Sequence, residues 1–130
     1  MAEAFNPEVA SVIPVLNEAD SIIDCLDSLC NQTYPAELHH IYVFDGGSTD
    51  NTVQVIEQYI SMRQEQKPTL HLHNNPGKYV AEARNLALEL IPDTVEYFVE
   101  IIGHCTVEIE HIENFLLYTS PSPRDTRESR

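Results

Sequence analysis

The chain has 130 residues, a net charge of −14, and 42% apolar against 22% charged side chains, which suits one folded domain with an ordinary core and excludes a disordered polymer. The acidic surplus excludes a nucleic-acid binder, since phosphate backbones are held by clustered Lys and Arg. Residues Met1 to Glu8 lack the basic and apolar segments of a leader, and no apolar run is long enough to span a bilayer, so this stretch alone is expected to be soluble and cytoplasmic.

In chain order, residues 9–15 read as a strand that is apolar on both faces, as in a buried parallel sheet. A helix is predicted over 19–30, with Ile22, Ile23, Leu26, Leu29 and Cys30 on one stripe. A second strand follows over 38–44. Then comes a helix over 50–64, capped by Ser48 or Thr49, with Val53, Ile56, Tyr59 and Ile60 inward. Residues 69–73 read as a third strand and Asn74-Asn75-Pro76-Gly77 as a turn. A helix over 79–90 should bury Val80, Ala83, Ala87, Leu90 and Ile91. A fourth strand over 96–102 and a short helix over 108–117 complete the series. Strands alternating with helices imply an α/β fold with an open, mostly parallel sheet. The three cysteines make no CxxC pair, and they read as reduced core thiols rather than as a disulfide framework or a zinc knuckle.

Two stretches have the same shape, a strand followed by polar residues that open a helix. Val12-Ile13-Pro14-Val15-Leu16-Asn17-Glu18 is the first; Asp45-Gly46-Gly47-Ser48-Thr49-Asp50-Asn51-Thr52, after Ile41 to Phe44, is the second. The second puts the Asp45 carboxylate at the carboxyl end of a buried strand, the edge where open parallel sheets bind ligands. A structural reading also exists for each residue. Asp45 could only tie down its glycine turn, Leu16 could be core, and Glu18 could only favour a helix dipole.

With Pro76-Gly77-Lys78 and Ala83-Arg84-Asn85, these stretches resemble the nucleotide-sugar-binding half of the family 2, GT-A-type glycosyltransferases, over roughly the first 115 residues. The resemblance implies an incomplete GT-A fold and a nucleoside diphosphate sugar as ligand. It implies that Asp45 reads a pyrimidine base, that Leu16 and Glu18 wall the nucleoside, and that Arg84 holds base or diphosphate. Lys78 is a further candidate near phosphate. Leu16 stands where several relatives have an aromatic that stacks on the base. An Asp45→Ala change is then expected to abolish nucleotide binding and leave folding intact.

The resemblance further implies an acidic D-x-D, D-G-H or D-A-H at the end of the fourth strand, holding Mg²⁺ or Mn²⁺ across the diphosphate. This chain reads Ile102-Gly103-His104, so His104 matches and Ile102 replaces the aspartate. Isoleucine offers no oxygen to a hard cation. Glu100 is expected on the same strand face but two residues short of the edge. The other histidines are scattered; His71 and His73 alone share a strand face, and two ligands do not make a zinc site. No catalytic residue is identified, because the family's general base lies in an acceptor-binding half beyond the fourth strand. Membrane attachment, where relatives have it, also comes from later regions.

The tail differs in character. Leu116 to Asp125 resembles the translation of a transposon-type sequencing adapter, with two prolines and a reversed charge. The expected division is therefore a glycosyltransferase-like portion over 1–115 and a non-native or disordered tail over 116–130, on a truncated front half. The expected function is the donor-binding part of a glycosyltransferase. The alternative is a non-catalytic nucleotide- or sugar-binding module that lacks the metal-binding acid, and a third reading is a readthrough product that does not fold stably.

Overall fold

The computed structural model describes residues 7–64, 66–77 and 79–119, and at 80 and 117–119 the backbone only. Strand β1 spans Glu8–Val15, helix α1 Ile22–Cys30, β2 His39–Asp45, α2 Thr52–Arg63, β3 Thr69–Asn74, α3 Val80–Leu90, β4 Val95–Glu100 and α4 His111–Thr119. The four strands form one sheet in the order β3-β2-β1-β4, and every pairing is parallel. The α/β fold expected from the alternation of elements is therefore present.

Both faces of the sheet are covered, which is why the strands read as apolar on both sides. On one face Val9, Ile13, Val15, Ile41, Val43, Tyr97, Val99 and Ile101 pack with Ile22, Cys25, Leu26 and Leu29 of α1, Ile56 of α2, and Ile112 and Leu116 of α4. On the other, Ala10, Val12, Tyr42 and Phe44 meet Ala83 and Ala87 of α3, with Ile91. Helices α1 and α2 thus lead the chain across one face toward β3, and α3 returns it across the other to β4. The winding reverses between β1 and β4, and the carboxyl ends of strands at such a reversal leave a crevice.

Several expected boundaries shift for local reasons. Helix α1 begins at Ile22 rather than 19, because the Glu18 carbonyl accepts the N–H groups of Ser21 and Ile22 in a tight turn first. Strand β4 stops at Glu100 and not at 102, so Glu100 is its last residue. Neither Ser48 nor Thr49 caps α2, which starts at Thr52; Asp50 takes the Thr52 N–H instead. Leu90 is 45% exposed, and Ile91 takes the buried place expected of it. Thr52, a polar residue at the start of α2, is fully buried.

Helix α4 is fixed to the end of α1 by polar contacts. The Gln32 side chain accepts the Ile112 N–H at 2.8 Å and donates to the Ser28 and Glu108 carbonyls, satisfying groups that a helix start leaves unpaired. Leu116, one residue past the expected division at 115, is buried, and α4 continues to Thr119.

Candidate nucleotide site at the carboxyl edge

The carboxyl ends of β1 and β2 lie level, with Val15 opposite Asp45, and Asp45 lies opposite Asn74 of β3. Past those ends, the two stretches singled out in the sequence are joined to each other by side chains. Asn17 adopts a positive φ of 55°, which asparagine tolerates better than most residues. Its Oδ1 accepts the N–H groups of Thr49 at 2.8 Å and Asp50 at 3.2 Å, and its own N–H donates to Ser48 Oγ at 2.8 Å. The Glu18 N–H donates to the buried Thr52 Oγ1 at 2.8 Å. The Thr52 hydroxyl in turn donates to Asp50 Oδ1, which also accepts the Thr52 N–H. Those bonds, the hydroxyl one first, hold the Asp50 carboxyl below its ordinary range.

These six residues form a clasp that fixes the two loops relative to each other. Asn17 and Thr52 were not among the residues first singled out. Their signal was present in the repeated polar residues after each strand, but which polar residue meets which depends on the loops' approach in space.

Asp45 is 5% exposed, and its carboxylate is engaged within its own turn. Oδ2 accepts the N–H groups of Gly47 at 3.0 Å and Ser48 at 3.1 Å, and Oδ1 accepts the Ser48 hydroxyl at 2.6 Å. Gly47 has a φ of 97°, a conformation that glycine alone adopts without strain. Leu16, just past β1, is 44% exposed. Lys78 lies outside the described residues.

The segment after β4 crosses the end of β1. A side chain at Gly103 would come 2.8 Å from Val15 Cγ1 and 3.5 Å from Glu18 Cγ, so a glycine is needed for the approach. This crossing brings His104 Nδ1 to 3.6 Å from Glu18 Oε2. The structure therefore gathers Leu16, Glu18, Asp45 and His104 around one edge. Arg84 is turned elsewhere: its guanidinium pairs with Glu100, and that carboxylate holds its pKa up.

The donors near the β4 end do not suit Mg²⁺ or Mn²⁺. Glu100 faces Arg84, Ile102 presents a 58% exposed apolar side chain, and Glu18 with His104 provides one carboxylate and one imidazole. No three His, Cys, Asp or Glu groups among the described residues gather as a metal site, and hard cations need several oxygen ligands.

The remaining candidates are structural. His71 stacks on Tyr42 at a centroid distance of 4.5 Å, and His73 on Phe44 at 5.7 Å. His39 is buried at the opposite edge, its Nε2 2.7 Å from Ser11 Oγ, and burial pushes its pKa down to about 4. All three cysteines are free. Cys25 is a core thiol whose pKa burial pushes up to about 12, whereas Cys105 is exposed rather than buried.

Asn75, also outside the first set, is 2% exposed and begins the turn after β3. Its N–H donates to the Asp45 carbonyl at 2.7 Å and its side-chain NH₂ to the Tyr79 carbonyl at 3.0 Å. Its Oδ1 is buried and has no hydrogen-bond partner among the described residues, an arrangement that costs about 1–3 kcal/mol.

Residues 11–123 match the sequence model of glycosyl transferase family 2. Glycosyltransferase AglE of Haloferax volcanii is 32% identical over 107 residues, 82% of this chain and 34% of that protein. The crystal structure of Staphylococcus aureus TarS 1-349 with UDP-GlcNAc superposes with a TM-score of 0.69 at 23% identity, over 88% of this chain and 31% of that one, a likeness of fold. The mannosyltransferase PcManGT of Pyrobaculum calidifontis, solved with GDP-Man and Mn²⁺, gives a TM-score of 0.61 at 28% identity, over 68% of this chain and 25% of that one. The chain thus spans about a third or less of the length of these relatives.

Proposed function

The chain belongs to glycosyl transferase family 2, and on that premise we propose that its carboxyl edge is the donor-binding part of a glycosyltransferase site for a nucleoside diphosphate sugar. One observation carries the reading. The clasp through Asn17, Ser48, Asp50 and Thr52 joins the loops after β1 and β2 at the carboxyl edge, next to the β1–β4 boundary where the winding of the sheet reverses. A ligand edge is thereby built and held before any ligand arrives, which lowers the entropy lost on binding.

In this reading Asp45 and its glycine turn face the base, and Leu16 and Glu18 wall the nucleoside. His104 lies toward the diphosphate, and Arg84, turned to Glu100 in the free chain, would join it only by exchanging that carboxylate for phosphate oxygens, a bidentate partner of the same kind. The transferred sugar, the acceptor and the general base belong to the whole enzyme, for which the relatives suggest transfer from a nucleotide sugar. Residues 1–115 would be the front portion of that domain; Leu116 is buried with them and the family match runs to residue 123, so a non-native tail would begin later than residue 116.

A second reading is favoured by Ile102 and by the poor donor set beside it: a nucleotide- or sugar-binding module without metal chemistry. It differs from the first in the whole protein's activity and agrees with it on the site.

The relatives solved with UDP-GlcNAc and GDP-Man make UDP and GDP the first probes. Calorimetric titration of the chain should give saturable binding with a Kd below about 1 mM, equivalent to about 4 kcal/mol. Absence of saturation by either nucleotide at several millimolar would overturn the donor-site assignment. Transfer or donor hydrolysis by a longer form of the protein would eliminate the second reading.

A further inference from the structure

We infer that Cys25 and Cys105 form a reversible disulfide, a thiol switch that ties the turn after β4 to α1 and weakens nucleotide binding at the neighbouring edge. The effect on binding rests on the donor-site reading above; the bridge itself does not.

Both cysteines converge on one atom. The Ile102 carbonyl closes the 102–105 turn by accepting the Cys105 N–H at 3.0 Å, and the Cys25 thiol donates to the same oxygen at 3.8 Å. The Cys25 sulfur is thus aimed at this turn from α1. It lies within about 7 Å of the Cys105 backbone nitrogen, comparable with the Cα separations that a disulfide spans. The two thiols are also close enough that charge on one opposes charge on the other.

Burial divides the roles. Cys25 is fully buried and Cys105 is exposed, so an oxidant meets Cys105 first. Cys30 does not compete. It stands five positions from Cys25 on the same helix, which separates their Cα atoms by about 8–9 Å, beyond disulfide reach, and its thiol lies against Tyr59 of α2.

The oxidant is a small-molecule disulfide such as oxidised glutathione. The Cys105 sulfur attacks one of its sulfurs, the oxidant's S–S bond breaks, and one thiol leaves as a mixed disulfide forms at Cys105. The Cys25 sulfur then attacks the Cys105 sulfur and releases the second thiol. Two protein thiols are oxidised and one disulfide is reduced to two thiols; each attacking thiol gives up a proton and each leaving sulfur takes one.

The bridge acts on the site through its neighbours in the turn. Gly103 is pinned against β1, since an added side chain would stand 2.8 Å from Val15 Cγ1. Drawing Cys105 inward therefore displaces His104, whose Nδ1 is 3.6 Å from Glu18 Oε2, from its place on the diphosphate side. A cross-link between residues roughly 80 apart also restricts the unfolded chain, so the oxidised fold is the more stable.

The experiment equilibrates the full chain in glutathione buffers from reduced to oxidised, traps free thiols by alkylation, and reads intact mass and linked peptides. The oxidised monomer should lose two hydrogens and yield a Cys25–Cys105 peptide pair. Cys30→Ser should behave likewise, and Cys105→Ser should form no bridge. A lasting glutathione adduct at Cys105, a bridge through Cys30, or linkage only between two copies overturns the inference. Titration with UDP should then show the bridged chain binding about tenfold more weakly than the reduced one, with Cys105→Ser indifferent to oxidant. Equal affinity of the bridged and reduced chains overturns the switch while the donor site stands. Failure of the reduced chain to bind any nucleotide overturns the donor-site reading and the switch with it, and the bridge is then decided by mass alone.

Discussion

Replacing Asp45 with alanine should unsettle the fold as well as the site. The carboxylate accepts two backbone N–H groups and one hydroxyl at 2.6–3.1 Å, and the residue is 5% exposed. Hydrogen bonds to a charged acceptor contribute about 1.5–3 kcal/mol each when buried. All three freed donors lie in the exposed and half-exposed part of the turn at Gly47 and Ser48, where water can replace the carboxylate, so the sum falls well below three full bonds. A loss of about 3 kcal/mol is the expected result, a large fraction of a typical 5–15 kcal/mol. The assay is urea unfolding followed by circular dichroism, with Asp45→Asn alongside. Asparagine keeps one acceptor oxygen and loses the other, so it should fall between wild type and alanine. An alanine variant as stable as wild type to within about 0.5 kcal/mol would refute the argument. The expectation that Asp45→Ala separates binding from folding is thereby revised: a loss of nucleotide binding in that variant is informative only beside its unfolding curve.

Stability should also fall in acid through His39. Its folded pKa of about 4 lies below the ordinary 6.5, so the unfolded chain takes up a proton first; the contribution is whole above pH 6.5 and is lost as pH falls through 6.5 toward 4, about 2 kcal/mol of it by pH 5. Urea midpoints at pH 8 and pH 5 should show this decrement in wild type and not in His39→Gln, and an equal decrement in both would rule it out. Thr52→Val removes the acceptor for the Glu18 N–H and the hydroxyl bond to Asp50 with little change of shape, so it should cost about 2 kcal/mol; Thr52→Ser should recover most of it, and no difference between the two would show that the hydroxyl does not hold the clasp. Ile102→Asp places a carboxylate near Glu18 and His104, and it should make UDP binding about tenfold tighter in Mn²⁺ than in EDTA, where wild type is indifferent. Wild-type binding that collapses in EDTA would show that the donor set suffices after all.

The alternation of strand and helix, the parallel sheet, and the place of Asp45 at a strand's carboxyl end were all legible in the sequence. They follow from local periodicity and from turn residues that act over a few positions. The structure joined these stretches in ways that local patterns do not encode. Ser48 and Thr49 have the chemistry of helix caps, yet their groups meet Asn17, 31 or 32 residues away in sequence. Arg84 has acids near it on its own helix, yet its partner is Glu100, across on the end of β4.

The sequence by itself determined that two loops would end in polar residues at one edge of a parallel sheet, because hydrophobic period and turn chemistry are local. Only the tertiary structure decided which of those residues would bind each other and which buried polar atom, the Asn75 Oδ1, would find no partner among the described residues. Hydrogen bonds are made at about 3 Å, and that proximity exists only once the strands have paired and both faces of the sheet are covered.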